Sequence, residues 1–377
     1  MKVLLLSAYA AGSHVHWQRS LQYMFPLWQW QVLSLPPRHF SWRVRGNPLY
    51  WALEEPDKLA ADYDLLIATS MVDLATLRGL APALAVIPAI VYFHENQFEY
   101  PRGSRQHSLL EAQMVSIYSA LAADRIVFNS RYNMRTFLQG CSHLMSQLPD
   151  HVPRDLPGVL QKKSSVLAVP SDKPPVADAA GLWPWTAGSG PQRPLRLCWL
   201  GRFEHDKGGE GLLRILHRLE QAQLDYELSV TGQQFRRSPE VFQQIESGFR
   251  HRLVQFGYVE SRAAYGSLLS GADIVLSTSL HEFQGLAVQE AVACGCLPVV
   301  PERLVYPEIY PAQFVYACDP KDSNVEACAA TELILQLASG LQNAEVPVPD
   351  VTAFSLAALT PKYARLFSEV MAGRHSQ

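Results

Sequence analysis

Residues 195–208 read LRLCWLGRFEHDKG, an apolar run followed by a glycine and a charged loop. The run at 195–200 is too short for a helix and has the composition of a buried strand, and helical spacing follows over 207–221. Gly201 allows the sharp turn between them. A buried strand, a glycine turn and a helix are the unit of a doubly wound α/β fold, so this stretch predicts a parallel sheet with helices on both faces.

The same alternation of strand and helix runs along the whole chain. A length of 377 residues exceeds one ordinary core, so the pattern predicts two Rossmann-like domains, 1–170 and 195–352. In open sheets of this kind, ligands bind beyond the carboxyl ends of the strands. The predicted strands are 3–6, 65–68, 90–93, 125–128, 195–200, 227–231, 253–256, 274–277 and 297–300, and further helices are predicted at 261–270 and 284–294.

Two segments lie outside these domains. Residues 171–194 are rich in Pro, Ala and Gly and are predicted to form a linker. Residues 353–377 are predicted to form a C-terminal helix, with Thr360 as N-cap and Pro361 in its first position.

The second domain carries charged side chains at two strand ends. Arg202 and Lys207 follow the strand at 195–200, and two cations at such a place suit a diphosphate. Glu282 stands just before a predicted helix and Glu290 inside it, where Glu290 can accept hydrogen bonds from ribose hydroxyls. The alternative for these side chains is a solvated loop and helix surface.

Backbone groups of the same domain complete a predicted sugar-nucleotide site. Gly285 lets the backbone approach a sugar, and the amides of Leu286 and Ala287 open a helix toward a phosphate. Tyr258 follows another strand end and is our candidate for contact with the base. In the first domain, the amides of Gly12 and Ser13 are candidates for the β-phosphate.

The most polar strand end of the first domain is VYFHENQFEYP at 91–101. Polar side chains crowd there directly after a buried strand, which favours a functional site over a single structural histidine. The candidates are His94, Glu95, Asn96, Gln97 and Glu99, with Arg102 and Arg105 placed to meet phosphates just beyond them.

A second candidate acceptor surface lies between residues 28 and 45. Aromatic and basic residues alternate there, a composition that suits stacking on RNA bases and contact with phosphates. The buried face of a strand is the alternative. The residues are Trp28, Trp30, Arg38, His39, Phe40, Trp42, Arg43 and Arg45.

Two sets of motifs resemble known families. The Gly-Arg and Lys-Gly pairs of 201–208, followed by two glutamates eight positions apart, are similar to the C-terminal domain of family-4 retaining glycosyltransferases. His-Glu-Asn-Gln-Phe-x-Tyr-Pro at 94–101, Phe-Asn-Ser-Arg-Tyr-Asn at 128–133 and Gly-Ser-His at 12–14 resemble the tRNA-queuosine mannosyltransferases. The resemblance implies a GT-B fold, in which two Rossmann-like domains face each other across a cleft and the terminal helix packs back toward the first.

That resemblance also implies a reaction. Mannose would move from GDP-mannose to a hydroxyl of the cyclopentenediol of queuosine in the anticodon of tRNA-Asp, with retention of configuration. It implies that Arg202 and Lys207 hold the diphosphate and that Glu290 binds the ribose. His94 and Glu282 then act on the transferred sugar, and His14 joins the acceptor site. Neither a metal nor another cofactor is expected, because cations and helix amides can stabilise the departing diphosphate.

Composition fits a soluble cytoplasmic enzyme. Hydrophobic residues make up 48% and charged residues 18%, and no apolar run reaches the ~20 residues that span a bilayer. The six cysteines show neither zinc-site nor disulfide spacing. Net charge divides unevenly: residues 1–170 hold 15 Lys and Arg against 12 Asp and Glu, and the remainder hold 17 against 23. The first domain therefore permits an anionic partner.

Other functions stay open at this level. A family-4 transferase can act on a glycan, a lipid or a small metabolite, and a sugar-nucleotide epimerase uses the same architecture. A non-catalytic protein that binds tRNA or a sugar nucleotide can share the fold, because fold does not establish function. The sequence does not determine the oligomeric state.

Overall fold

The computed structural model describes residues 1–99, 110–177, 183, 193–235, 237–319, 321–343 and 345–373. The chain forms two compact units. Unit 1 consists of Met1–Pro170 and Leu356–Gln377, and unit 2 of Ser171–Ser355. Arg102 and Arg105 lie outside the described residues.

Unit 1 contains a six-stranded parallel sheet in the order β2-β1-β3-β4-β5-β6. Its strands are β1 (Lys2–Ser7), β2 (Gln29–Ser34), β3 (Leu65–Thr69), β4 (Ala89–Phe93), β5 (Arg125–Phe128) and β6 (Ser164–Val166). The helices between them are α1 (Gly12–Met24), α2 (Phe40–Glu54), α3 (Pro56–Ala60), α4 (Leu74–Leu80), α5 (Leu110–Ala122), α6 (Arg131–Gln147) and α7 (Leu156–Lys162).

The four predicted strands of this unit are confirmed, and two strands were missed. β3 and β4 are buried along their whole length, which is why a continuous apolar run identifies them. β2 and β6 form the two edges of the sheet and are only partly buried. Their sequences, QWQVLS and SSV, therefore lack that signal.

Unit 2 contains a second six-stranded parallel sheet, in the order β12-β11-β10-β7-β8-β9. Its strands are β7 (Leu195–Leu200), β8 (Tyr226–Thr231), β9 (Leu253–Gly257), β10 (Ile274–Leu276), β11 (Leu297–Pro301) and β12 (Val315–Tyr316). Its helices are α8 (Gly209–Gln221), α9 (Val241–Gly248), α10 (Arg262–Gly271), α11 (Leu286–Ala293), α12 (Tyr306–Ile309) and α13 (Ser323–Gln342). All five predicted strands are present, and the two-residue edge strand β12 was missed.

Strand order fixes where each sheet can bind a ligand. The order in unit 2 is that of a dinucleotide-binding Rossmann fold, with its switch point between β7 and β10, and unit 1 switches between β1 and β3. At such a point the connections leave in opposite directions and open a crevice at the carboxyl ends. The segment after β7 carries Arg202 and Lys207, the segment after β10 carries Glu282, and the helix that follows β1 begins at Gly12.

The last helix, α14 (Leu356–Ala372), belongs to unit 1 although it follows unit 2 in sequence. The prediction that it begins at Thr360 was wrong. Ser355 is extended and ends a preceding 3₁₀ turn, so the helix starts at Leu356, and the Thr360 hydroxyl donates to the Leu356 carbonyl inside it. Pro361 therefore lies in the second turn.

The described part of the predicted linker packs on unit 2. Residues 171–177 belong to this unit, and the Ala177 amide donates to the Ser267 hydroxyl. The indole of Trp183 is buried and donates to the Leu268 carbonyl.

Candidate functional site

Two histidines stack at the carboxyl edge of the sheet in unit 1. His94 follows β4 directly, and its ring lies 4.1 Å from the ring of His14, which is in the first turn of α1. Both residues are buried. Both ring nitrogens of His94 lack a hydrogen-bond partner among the described residues, as does Nδ1 of His14. A helix and a loop that are distant in sequence thus place buried imidazoles with unused nitrogens side by side.

Burial keeps both rings neutral. It lowers the pKa of His14 to about 4. Burial, with a further contribution from the positive charges that His14 and His16 carry when protonated, holds the pKa of His94 well below 6.5. Each ring therefore offers one donor and one acceptor nitrogen at neutral pH.

Aromatic side chains pack against this histidine pair. Trp17 meets His94 edge-on at 4.9 Å and stacks on Tyr92 at 4.1 Å. The Trp17 indole donates to the Tyr363 hydroxyl, which donates to the Ala168 carbonyl, each at 2.9 Å. Tyr363 belongs to α14, so the chain's last helix supports the histidine pair.

A chain of amides fixes the backbone of the His94 loop. Asn129 donates to the His94 carbonyl, and Asn133 donates to the Phe93 carbonyl and to Asn129. Asn96 donates to Asn133 and accepts from the Phe98 amide. The Phe-Asn-Ser-Arg-Tyr-Asn stretch at 128–133 therefore positions the loop that carries His94.

These bonds also limit what Asn96 can offer to an acceptor. Asn96 is fully buried, and both ends of its amide are engaged. Gln97 is buried too, with an Oε1 that has no partner among the described residues, and Glu95 is partly exposed. Acceptor contacts by all three stay predictions; for Asn96 such a contact has to displace an existing bond.

The stretch from Trp28 to Arg45 is divided between the two ends of β2. Trp28 and Trp30 lie at the amino end of β2, where Trp28 packs against Phe25 and against Phe367 of α14. The residues from Arg38 onward follow its carboxyl end, about 20 Å away for a six-residue strand. The second half of the stretch therefore lies at the His94 edge and the first half does not, and RNA contacts by either half stay predictions.

Arg45 holds helices together at that edge. Its guanidinium contacts Asp73, which caps α4, at 2.5 Å, and Glu111 in the first turn of α5 at 3.2 Å. Arg43 is partly buried. RNA contacts by Arg43 and Arg45 stay predictions, and the charge of Arg45 is already balanced inside the unit.

The first two residues of α1 are open to solvent. Gly12 begins the helix, and Gly12 and Ser13 are exposed. Amides in a first helical turn have no partner within the helix. A Cβ built on Gly12 would meet no atom within 4 Å, so this position has room for a ligand oxygen.

In unit 2, the loop after β7 is locked against the loop after β10. Gly208 has a φ of +71°, and a Cβ there would lie 1.9 Å from the Thr278 carbonyl oxygen. The amides of Leu280 and His281 donate to the Asp206 carbonyl. Only glycine fits at 208, and this close approach brings Lys207 to Glu282.

The Lys207 ammonium makes three contacts with protein oxygens. Nζ donates to the His281 carbonyl at 3.0 Å and lies 3.2 Å from Glu282 and 3.3 Å from Asp206. An ammonium has three donors, so a bond to phosphate requires one of these to be exchanged. Arg202 is more available: its side chain is 47% exposed and pairs with Glu204 at the surface.

Glu282 is held ionised. Burial alone raises its pKa, but Lys207 and the amides of Gly285 and Gln284 outweigh burial and bring the pKa to about 2. Burial is the larger cause and the charge of Lys207 the second, and together they lower the pKa of neighbouring His281 to about 4. The site thus presents a permanent carboxylate beside a neutral imidazole.

Helix α11 opens at this carboxylate. Gly285 precedes it with a φ of +74°, and Leu286 and Ala287 form its first turn. A Cβ on Gly285 would lie 3.1 Å from the ring of Tyr306. The amides of Leu286 and Ala287 therefore lie at the amino end of α11, where the helix dipole stabilises an anion.

Glu290 has a partner that sequence reasoning missed. Arg262, at the start of α10, donates through both terminal nitrogens to the two carboxylate oxygens of Glu290. The signal available in the sequence was a glutamate inside an otherwise apolar helix, because a buried carboxylate needs a partner. Tyr258, just beyond β9, is 60% exposed. Contacts of Glu290 with ribose and of Tyr258 with a base stay predictions.

Within the described parts of the chain, no three His, Cys, Asp or Glu side chains are grouped so that they could hold a metal ion. None of the helices described is both long enough and apolar enough to cross a membrane.

Two different family models match this chain, one in each of its two units. A family model described as the tRNA-queuosine alpha-mannosyltransferase N-terminal region matches residues 2–171, and one described as glycosyl transferases group 1 matches residues 188–337. Among solved structures, Anabaena HepE in complex with UDP has a TM-score of 0.63 at 17% identity, over 98% of this chain and 100% of its own. Sucrose-phosphate synthase from Thermosynechococcus elongatus has a TM-score of 0.66 at 14% identity, over 99% and 100%.

These matches and the two parallel sheets define a glycosyltransferase with the two-domain GT-B fold. The tRNA-queuosine alpha-mannosyltransferase of Drosophila melanogaster is 34% identical over 316 residues, which is 83% of each chain. The chain belongs to the tRNA-queuosine alpha-mannosyltransferase family. The resemblance read from its motifs is confirmed.

Proposed function

We propose that this protein transfers mannose from GDP-mannose to the cyclopentenediol of queuosine in the anticodon of tRNA-Asp, with retention of configuration. The observation that carries the proposal is the 34% identity to the Drosophila tRNA-queuosine alpha-mannosyltransferase over 83% of both chains. GDP-mannose is α-linked, so an α-mannoside product corresponds to retention. We also propose that the reaction takes place in the cytoplasm.

The residues of unit 2 suit the donor half of this reaction. Arg202 can exchange its surface pair with Glu204 for a phosphate oxygen, because an exposed ion pair contributes about 1 kcal/mol or less. The first-turn amides of α11 supply further positive potential. We propose that these groups and Lys207 replace a metal ion in stabilising the departing GDP.

In the reaction itself, the bond between mannose C1 and the GDP phosphate oxygen breaks while a bond from C1 to the acceptor oxygen forms. The acceptor proton passes to the departing phosphate oxygen, so no protein base is required. Glu282, ionised down to a pH of about 2, accepts hydrogen bonds from the sugar and stabilises positive charge at C1. Neutral His94 hydrogen-bonds to the sugar through the nitrogens that the protein leaves unused.

The experiment is the mass of the anticodon fragment of queuosine-containing tRNA-Asp after incubation with the protein and GDP-mannose. Parallel incubations replace the donor by UDP-glucose, replace the tRNA by tRNA lacking queuosine, or add a chelator. We expect one hexose increment with GDP-mannose and queuosine, with or without chelator. Transfer to tRNA lacking queuosine, or no transfer with any pair, would contradict the proposal, and loss with chelator would contradict its metal-independence.

A further inference from the structure

Trp42 is an exposed tryptophan whose indole packs on Gly46, and we call this contact surface at Gly46 its seat. It lies in the first turn of α2 and is 56% exposed. Gly46, one turn further on, lies beneath it: a Cβ at 46 would be 2.5 Å from indole Cε2 and 2.7 Å from Cζ2. One part of the indole therefore rests on the bare helix backbone at Gly46, and the rest is open to solvent.

The seat lies at the functional edge of unit 1. Helix α2 starts just after the carboxyl end of β2. Arg45, on the turn that follows Trp42, binds Asp73 after β3 and Glu111 in the first turn of α5. These contacts hold the starts of three helices at the edge where His94 follows β4. Three strand spacings separate β2 from β4, which is about 14 Å.

The segment that contains Trp42 is basic, which suits an anionic partner. Residues 38–45 include Arg38, Arg43 and Arg45 and no carboxylate. Arg38 and His39 are exposed just before α2. Arg45 is neutralised by Asp73 and Glu111, so the open aromatic ring is the larger unused contact group here.

We propose that Trp42, seated on Gly46, stacks on an unpaired base of the RNA acceptor. The inference rests on the proposed function, since it concerns how that acceptor is held. An aromatic face in a basic environment is the chemistry that binds unpaired bases, and stacking tolerates any base because each has a π-face. The contact adds affinity for the anticodon loop without touching the reacting atoms.

The test compares four proteins: wild type, Trp42→Ala, Trp42→Phe and Tyr50→Ala. Tyr50 is the matched control, an aromatic residue on the same helix that is 45% exposed. The dissociation constant for a fluorescent anticodon stem–loop RNA is measured across a salt series, and KM for tRNA, KM for GDP-mannose and kcat are measured by mannose transfer. Thermal melting establishes that each variant is folded.

We expect Trp42→Ala to weaken RNA binding and raise KM for tRNA by about 5- to 150-fold, the effect of losing one base–aromatic stack. Trp42→Phe should recover most of the loss, and Tyr50→Ala should match wild type. The slope of log affinity against log salt should not change, because stacking releases no counterions.

Gly46→Ala tests the seat without removing the ring. The added Cβ displaces the indole, so we expect a loss of RNA affinity similar to that of Trp42→Ala. RNA affinity within twofold of wild type in Trp42→Ala, or an equal loss in Tyr50→Ala, would overturn the inference. So would a Trp42→Ala protein whose sedimentation changes while its RNA affinity does not, since that identifies the surface as a contact with a second copy. A wild-type protein that transfers nothing to tRNA overturns the proposed function instead.

Discussion

His94 and Asn96 are separated by one residue in the same loop, yet the structure treats their side chains in opposite ways. Asn96 is bonded at both ends of its amide, which holds the loop in shape. His94 is as buried as a core residue, and neither ring nitrogen has a partner among the described residues. A buried unpaired polar group costs about 1–3 kcal/mol, so a ligand that hydrogen-bonds to His94 would gain that free energy on binding.

The substitution His94→Phe tests this directly. Phenylalanine keeps a ring between His14 and Trp17 but removes both nitrogens. We expect kcat for mannose transfer to fall by about 100-fold or more, as when one preorganised polar group is lost from an active site, while GDP binding to unit 2 is kept. Turnover kinetics and calorimetric GDP titration measure the two effects. Near-normal turnover would remove His94 from the mechanism.

His14 predicts how stability changes with pH. Its pKa is about 4 in the folded protein and near 6.5 when unfolded, so only the unfolded chain takes up a proton between these values. The stability that depends on a neutral His14 is therefore fully present above pH 6.5, and it is lost as the pH falls toward 4. Between pH 7 and pH 5 the wild type should lose about 2 kcal/mol more than His14→Phe, which keeps the ring but cannot titrate.

Urea unfolding at both pH values measures this difference. The control is His151→Asn, at a residue whose side chain is 95% exposed, and its pH dependence should follow that of wild type. Equal losses in wild type and His14→Phe would show that the buried histidine stack does not control acid stability.

At the scale of elements, the sequence predicted the strands that a continuous apolar run marks and the turns that a glycine marks. The central strands and the loops after β7 and β10 were predicted, because burial on both faces and close backbone approach leave few alternatives. Edge strand β2 was missed because half-burial leaves a weak pattern. Glu290 inside an apolar helix indicated the need for a partner, but Arg262 was not identified, because a salt bridge between two helices leaves no local pattern at the partner residue. The positions of Trp28 and Trp42 at opposite ends of β2 were not predicted, since alternation alone does not show where a strand begins and ends.

The loop between β7 and α8 gives a test at the same scale. Gly208→Ala must hold a side chain at a φ of +71° and 1.9 Å from the Thr278 carbonyl oxygen. We expect a loss of about 3 kcal/mol or more in the free energy of unfolding of unit 2, from left-handed strain and from the displaced loop. GDP affinity should fall with it, because Lys207 moves away from Glu282.

Gly248→Ala is the matched control. Gly248 ends α9, is exposed, and a Cβ there would meet no atom within 4 Å. The free energy of unfolding of Gly248→Ala should stay within about 1 kcal/mol of that of wild type. Urea unfolding followed by tryptophan fluorescence reports the stability of both variants, and equal stability of Gly208→Ala and wild type would contradict the close approach of Gly208 to the Thr278 carbonyl.

At the scale of the whole molecule, the chain leaves unit 1 at Pro170 and returns to it at Leu356. The returning helix is part of the core. Tyr363 accepts from Trp17 and donates to the Ala168 carbonyl, and Phe367 packs on Phe25. Unit 1 is thus complete only after the last helix has been made, and the support behind His94 comes from the opposite end of the sequence.

Truncation after Ser355 should therefore damage unit 1 and spare unit 2. Without α14, the Trp17 indole and the Ala168 carbonyl lose their partner, and Trp17 and Phe25 become exposed. We expect hydrogen exchange measured by mass spectrometry to speed up in α1 and β4, while β7 and β8 keep their protection. Tyr363→Phe, which removes only the hydroxyl, should show the same pattern with a loss of about 1–2 kcal/mol. Unchanged exchange in α1 and β4 would mean that unit 1 folds without its last helix, and that His94 needs no support from it.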